Sequence, residues 1–323
     1  MARAINYKNK QKKIQIDFFK KYYPDLKMKG ELHYIIRDET SVNLYEGIRG
    51  IDSNGDNALS YFKENHISWW NGDEPSGNLL SSQIACLNHL MPLMKDKEAV
   101  LEILKGIDKD FTDVLRMNCD KHLSYISFEV VSDGSYLGEH QNKRGSNCTS
   151  IDAAIIGIKN GIPIIVAIEW KYTENYSNED KSKGSAGVTR TRNYNHLIHD
   201  SAFLAKDPSG NDLTIYYTEP FYQLMRQTLW AEQMLKNRDI ESLKAEDYLH
   251  IHVIPKANAQ LLDKSYKASK LNMEDTWRGM LTDEGRDRYK IISPDELLKP
   301  LCNNKKFSIY SDLIEYLKER YWQ

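Results

Sequence analysis

The segment from Thr149 to Trp170 constrains this chain more than any other, because its pattern specifies a β-hairpin together with its register. Ile162-Pro163-Ile164-Ile165-Val166-Ala167-Ile168 is a β-branched run of strand character, and Thr149 to Ile156 is a second one. Between them stands Asn160-Gly161, a pair favoured at the two central positions of a type I′ turn. A two-residue turn there pairs Lys159 with Ile162. Counting outward along the ladder then sets Asp152 opposite Glu169, as a non-hydrogen-bonded pair with Cα atoms about 4.5 Å apart. Lys171, two residues on, shares the face of Glu169. Like charges placed opposite each other are destabilising, so two facing carboxylates beside an ammonium need a reason. A bound divalent cation supplies one.

Composition narrows the class without naming it. With 323 residues, 28% charged and 41% hydrophobic, the chain has the make-up of a globular protein of one large or two modest domains. A net charge of −2 excludes a histone-like global basicity, so a nucleic-acid partner would be met by a local basic surface. No apolar run approaches the roughly twenty residues of a membrane span. The basic stretch Tyr7 to Lys13 lacks the apolar core of a secretory signal. A cytoplasmic protein with no membrane partner is the expectation. The four cysteines are widely spaced and form no metal-knuckle pattern.

Around the hairpin the chain alternates helix and strand signals. Leu80, Ile84, Leu87, Leu90 and Met91 recur at helical spacing and predict a helix over Leu79 to Met94, with a second over Lys97 to Lys105. Tyr125 to Val131 alternates as a strand. Thr173 to Arg192 is polar and reads as a long loop. Pro220 opens a helix running to Leu235, Tyr248 to Ile254 is another strand, and Ser293-Pro294-Asp295-Glu296 has capping-box spacing. Ser311 starts a final helix. On the strand after the turn, one face carries Ile164, Val166, Ile168 and Trp170, and the other carries Ile165 and Ala167 before Glu169 and Lys171. Apolar residues on both faces imply a sheet covered on both sides. The fold class is therefore α/β, a mixed sheet flanked by helices on both faces. The turn-rich stretch Asn71 to Gly77 is the expected boundary between an accessory region, 1–77, and the core on which it packs.

Mg²⁺ favours hard oxygen ligands and takes one or two carboxylates together with waters and substrate phosphate. Asp152 and Glu169 supply two carboxylates, and the Trp170 carbonyl offers a third oxygen from the same strand. A cation there would polarise a phosphodiester and lower the pKa of a water. Lys171 would orient or help activate that water, or neutralise charge developing on the phosphate.

At these residues the sequence resembles the PD-(D/E)XK nuclease superfamily, whose signature is an Asp on one strand and Glu/Asp-X-Lys on the next. Asp152 and Glu169-Trp170-Lys171 match it in order and spacing. Thr149 to Ala154, Ile168 to Glu174, Leu79 to Gln83 and Tyr222 to Gln227 resemble a bacterial restriction-endonuclease-like branch, so the likeness spans residues 78–258. Ile151 stands where the superfamily's name has Pro, at a position that bears no ligand. The resemblance implies a restriction-endonuclease-like core over 78–258, with 259–323 as a C-terminal extension of the same domain. It also implies a nuclease dependent on Mg²⁺, or Mn²⁺, that cuts double-stranded DNA. A homodimer is compatible with it. The superfamily commonly places an acidic or amide residue on the helix before the first core strand. Gln83 is the nearest match, Glu129 on the preceding strand is the acidic alternative, and the residues leave both open. Gln223 and Gln227, on the following helix, could reach substrate or water.

Plainer readings stand beside these. Asp152, Glu169 and Lys171 could be a surface hairpin end with an ion pair worth little. Glu129 could be a strand-end carboxylate paired with a lysine, and Gln83 a core amide. Arg190, Arg192, Lys181 and Lys183 form a basic loop after the hairpin, which would emerge near the site and track nucleic-acid phosphates. His250 and His252 share a strand face but have no third ligand nearby and read as structural. Trp69-Trp70 reads as core. The function expected is a metal-dependent DNA endonuclease. The alternatives are a degenerate nuclease fold that binds nucleic acid without cutting it, and a repair or RNA-processing nuclease.

Overall fold

The hairpin forms as its turn dictates. In the computed structural model, which describes residues 6–29, 34–50, 57–70, 72–139, 143–145, 148–177, 179–206, 213–302 and 304–323, Asn160 and Gly161 both take left-handed φ values of 51° and 82°. The strands they join, β3 (Ile151–Lys159) and β4 (Ile162–Trp170), pair antiparallel from Lys159 with Ile162 to Ala153 with Ile168. Asp152 and Glu169 are the next step outward.

Four more strands complete the sheet: β1 (Phe111–Leu115), β2 (Ser127–Val130), β5 (Asp247–Val253) and β6 (Tyr289–Ile292). The order is β1-β3-β4-β5-β6, and β2 lies beside β1 along the same edge of β3. Antiparallel pairing on that side gives way to parallel pairing of β4 with β5 and β5 with β6. The sheet is mixed, as expected from the sequence. Its two faces bury separate cores. Ile164, Val166, Ile168 and Trp170 enter one, while Ile165 and Ala167 enter the other. The first core is closed by α2 (Ser82–Leu90), α3 (Lys97–Ile107), α6 (Pro294–Cys302) and α7 (Ser311–Arg320). The second is closed by α4 (Gly184–Asp200), α5 (Phe221–Lys236) and the segment from Leu261 to Leu281.

Two element boundaries differ from the sequence reading. The helix expected over Leu79 to Met94 begins at Ser82, because the Ser81 side chain accepts the Ile84 N–H and caps it there. It tightens to a 3₁₀ turn at Met91–Leu93, where Pro92 supplies no N–H. The stretch Thr173 to Arg192 is not all loop, since its second half is the start of α4. That helix buries only Gly187, Tyr194 and Ile198, too sparse a stripe to show as periodicity.

The chain ends are tied together around one buried cation. Helix α1 (Tyr7–Tyr22) packs on α7, and between them Arg320 is fully buried. Its guanidinium donates to Gln15 Oε1 at 2.8 Å, to the Asn43 carbonyl at 2.7 Å, and to Asn43 Oδ1 and Tyr316 Oη. It also lies within 5.8 Å of the ring centres of Phe18, Phe19, Tyr316 and Tyr321. Among the described residues no carboxylate pairs with it, so planar donor geometry and ring faces carry the burden of desolvation. Arg320→Lys keeps the charge and loses that fork. It should lower unfolding stability by about 3 kcal/mol, read as a drop in urea midpoint, and a loss under about 0.5 kcal/mol would show that the arginine contributes only packing.

Candidate active site

The register places four functional side chains in one row across the sheet. Glu129 lies between the pairs Phe128–Ala153 and Val130–Ile151, which puts it opposite Asp152. Asp152 lies one step past Ala153–Ile168, opposite Glu169. Glu169 pairs across the parallel ladder with His252. Where the β3–β4 ladder ends, the Trp170 N–H donates to Asp152 Oδ2 at 2.7 Å. Glu129 holds a left-handed φ of 51° inside its strand, a conformation costly for a residue with a Cβ.

Each carboxylate is held by named partners. Lys171 Nζ ion-pairs with Glu169 Oε1 and donates to Gln223 Oε1 at 2.6 Å, and the Tyr176 hydroxyl donates to that same oxygen at 3.2 Å. Gln227 Nε2 donates to Glu169 Oε2. Glu129 accepts from Gln83 Nε2 at 2.6 Å and from the Ser150 hydroxyl at 2.7 Å. Gln223 and Gln227 are one helical turn apart on α5, so one face of that helix serves both Lys171 and Glu169. Glu169 and Lys171 are 1% and 4% exposed, whereas Asp152 is half-buried.

Burial and like charge together set the ionisation. Loss of solvent, then the charges of Glu169 and Glu129, push the Asp152 carboxyl well above the ordinary carboxylate range. Burial also raises Glu129, against the hydrogen bonds from Ser150 and Gln83. For Lys171, burial alone would favour the neutral amine, but the adjacent Glu169 charge outweighs it and keeps the ammonium. Two histidines complete the layer beneath. Burial drives His250 down to about 4 and His252 well below the usual imidazole value, so both are neutral. His250 Nε2 lies 3.0 Å from Gln227 Oε1. The Gln227 amide nitrogen is committed to Glu169, so this oxygen accepts and His250 carries its proton on Nε2. His252 Nδ1 meets the Tyr289 hydroxyl at 3.0 Å.

Asp152, Glu169, Trp170, Lys171, Gln83 and Gln223 all line one open cleft of about 420 Å³. Glu129 stands just behind it, in a water-sized hollow of about 10 Å³ shared with Gln83, Cys86 and Asp152. The basic residues named from the sequence are not among the lining residues of this cleft. Arg190 and Arg192 sit on α4 instead of a loop, Arg190 donating to the Lys181 carbonyl at 3.0 Å and Arg192 exposed. Lys183, just before α4, ion-pairs with Asp180 at 3.5 Å. Among the described residues no three His, Cys, Asp or Glu side chains gather into a ready-made metal cage. Two carboxylates and a strand carbonyl facing an open cleft are nonetheless a donor set that suits a hard cation completing its shell with water and phosphate. The sequence reading does not include Tyr176 and takes His250 as structural, whereas Gln227, expected to reach substrate or water, is hydrogen-bonded to the Glu169 carboxylate and to His250. Their link to Glu169 and Lys171 runs through α5 and the parallel ladder, both remote in sequence.

Neither a curated protein nor a solved structure matches this chain. A family model does, along nearly its whole length, and its description is consistent with the mixed sheet flanked by helices. The chain belongs to the family of restriction endonucleases associating with ARP, matched over residues 9–322.

Proposed function

We propose that this nuclease-family chain is a divalent-metal-dependent endonuclease that hydrolyses phosphodiester bonds in DNA. The observation that carries the reading is the convergence of Asp152 and Glu169 at the buried end of one hairpin, with Lys171 ion-paired beside them on the wall of an open cleft. Nothing in a purely structural role accounts for three carboxylates in one row, because their mutual repulsion in a poorly solvated place costs stability. Asp152, Glu169 and the Trp170 carbonyl would hold Mg²⁺ or Mn²⁺, which when bound supplies a Lewis acid for the phosphate and a lowered water pKa. Lys171, held as an ammonium by Glu169 and steered by Gln223, donates to the attacking water or to a phosphate oxygen and does not abstract a proton. Gln227 fixes the Glu169 carboxylate, and His250 fixes Gln227. Arg190 and Arg192, on the helix that follows the hairpin, contribute phosphate contacts away from the chemistry.

Three outcomes follow. Lys171→Ala and Glu169→Ala should each cut plasmid cleavage in Mg²⁺ or Mn²⁺ by at least about a hundredfold while leaving DNA binding largely intact; a Lys171→Ala protein that cleaves like wild type ends the assignment. Neutralising Arg190 and Arg192 should do the reverse, weakening binding and flattening the slope of log affinity against log salt by about two.

The third outcome concerns stability. A carboxyl whose folded pKa is raised stabilises the fold fully only below its unfolded pKa, and loses that contribution as pH rises through the folded value. Ionised Asp152 is therefore a liability at neutral pH without metal. Asp152→Asn should raise the Tm in chelator at pH 8, and the gain should shrink as pH falls toward about 4. Excess Mg²⁺ or Mn²⁺ should reverse the order, since a metal at a hundred times its Kd adds about 2.7 kcal/mol to the wild type alone. Destabilisation by Asp152→Asn in chelator, with no shift of either protein by metal, would make these carboxylates a structural network.

A further inference from the structure

The adjacent tryptophans Trp69 and Trp70 part company in the fold. Trp69 is core, 6% exposed and stacked on Phe62 with ring centres 3.7 Å apart and planes 10° from parallel. Trp70 is 71% exposed, against the sequence expectation that both are buried, and among the described residues its ring stacks on no other. Such exposure forfeits the transfer free energy of a large aromatic side chain. Two features hold Trp70 where it is. The Gly72 N–H donates to the Trp69 carbonyl at 3.2 Å, closing a tight turn with Trp70 just after its anchored end, and Gly72 takes a φ of 119° that disfavours other residues. The Trp70 N–H points to Gln83 Oε1 at 3.5 Å, and Gln83 in turn donates to Glu129. Trp70 is also among the residues that line the same cleft as Asp152, Glu169 and Lys171.

We propose that Trp70 is a stacking platform for a nucleobase of the strand whose phosphate lies at Asp152, Glu169 and Lys171. An indole face gains on any base, so the contact grips the strand without reading its sequence. It also requires a base with a free face. The strand in the cleft is therefore single-stranded or locally opened there, since a base inside an intact duplex is covered on both sides. This inference rests on the nuclease reading only for which strand occupies the cleft.

Trp70 can be observed directly. Trp69, Trp170, Trp230 and Trp277 are at most 6% exposed and Trp322 is partly buried, so quenching by a bound base reports mainly on Trp70. The probes, titrated in chelator, are an oligothymidylate of roughly ten nucleotides, a blunt duplex, and that duplex with one central unpaired base. The oligothymidylate should quench the emission. Trp70→Ala should weaken its binding roughly 5- to 150-fold without changing the salt slope. Trp70→Phe should keep affinity within about threefold while losing the quenching. Both variants should retain the wild-type Tm, because the side chain is exposed. A greater effect on the oligothymidylate identifies an already unpaired strand, and a greater effect on either duplex identifies a base opened by the protein. Binding of every probe by Trp70→Ala within about twofold of wild type, or emission unquenched by all three probes at high concentration, overturns the proposal. Plasmid cleavage in Mg²⁺ is scored separately. Quenching without any cleavage leaves stacking in place and removes the nuclease reading, whereas cleavage with a neutral Trp70→Ala does the opposite.

Discussion

The site depends on a desolvated row of acids that the hairpin register forces together. Asn160 and Gly161 reverse the chain in two residues, the ladder that follows runs without a shift to Ala153 and Ile168, and Asp152 and Glu169 stand one step beyond its far end. Glu129 joins from the other side at the same level. Each acid is stabilised by a different device: Asp152 by the Trp170 N–H, Glu169 by Lys171 and Gln227, and Glu129 by Gln83 and Ser150. Burial and the charges of Glu169 and Glu129 still raise the Asp152 carboxyl above its ordinary range.

The rest of the architecture holds this row still. With separate cores on its two faces, the sheet is gripped from above and below, and a strand so placed cannot shift its register without turning apolar residues toward charge. Helix α5 sits over the charged end and offers Gln223 and Gln227 from one face. Neutral amides suit that position. They hydrogen-bond to Lys171 and Glu169 without adding charge to a place that already holds too much. His250 extends the chain of contacts one layer deeper, and its depressed pKa keeps it a neutral donor throughout the physiological range. At the opposite boundary, α1 and α7 close over Arg320, where among the described residues one buried cation is met by neutral oxygens and ring faces. The two ends of the chain thus use inverse solutions. Acidic groups crowd together at the cleft, while a lone guanidinium is hydrogen-bonded beneath the terminal helices.

Short-range pattern and turn chemistry control one group of features. The hairpin, its register, the two-faced burial of Ile162 to Trp170, the capped helix after Ser293 and the shared face of Glu169 and Lys171 follow from adjacent residues and period-two alternation. The carboxylate pair was legible because a two-residue turn leaves no freedom in counting. Tertiary structure decided whatever depended on segments far apart in the chain. Glu129 enters the row only through the pairing of β2 with β3, and its left-handed φ has no sequence signature at a glutamate. His250 reaches Glu169 only through Gln227 on a helix packed across the sheet. Arg190 and Arg192 lie on a helix whose buried stripe is three residues, too few to announce it. Two neighbouring tryptophans look alike as letters, yet one is stacked in the core and the other stands in the cleft. Burial is a property of what the rest of the chain brings to cover a residue, and no local pattern carries that information.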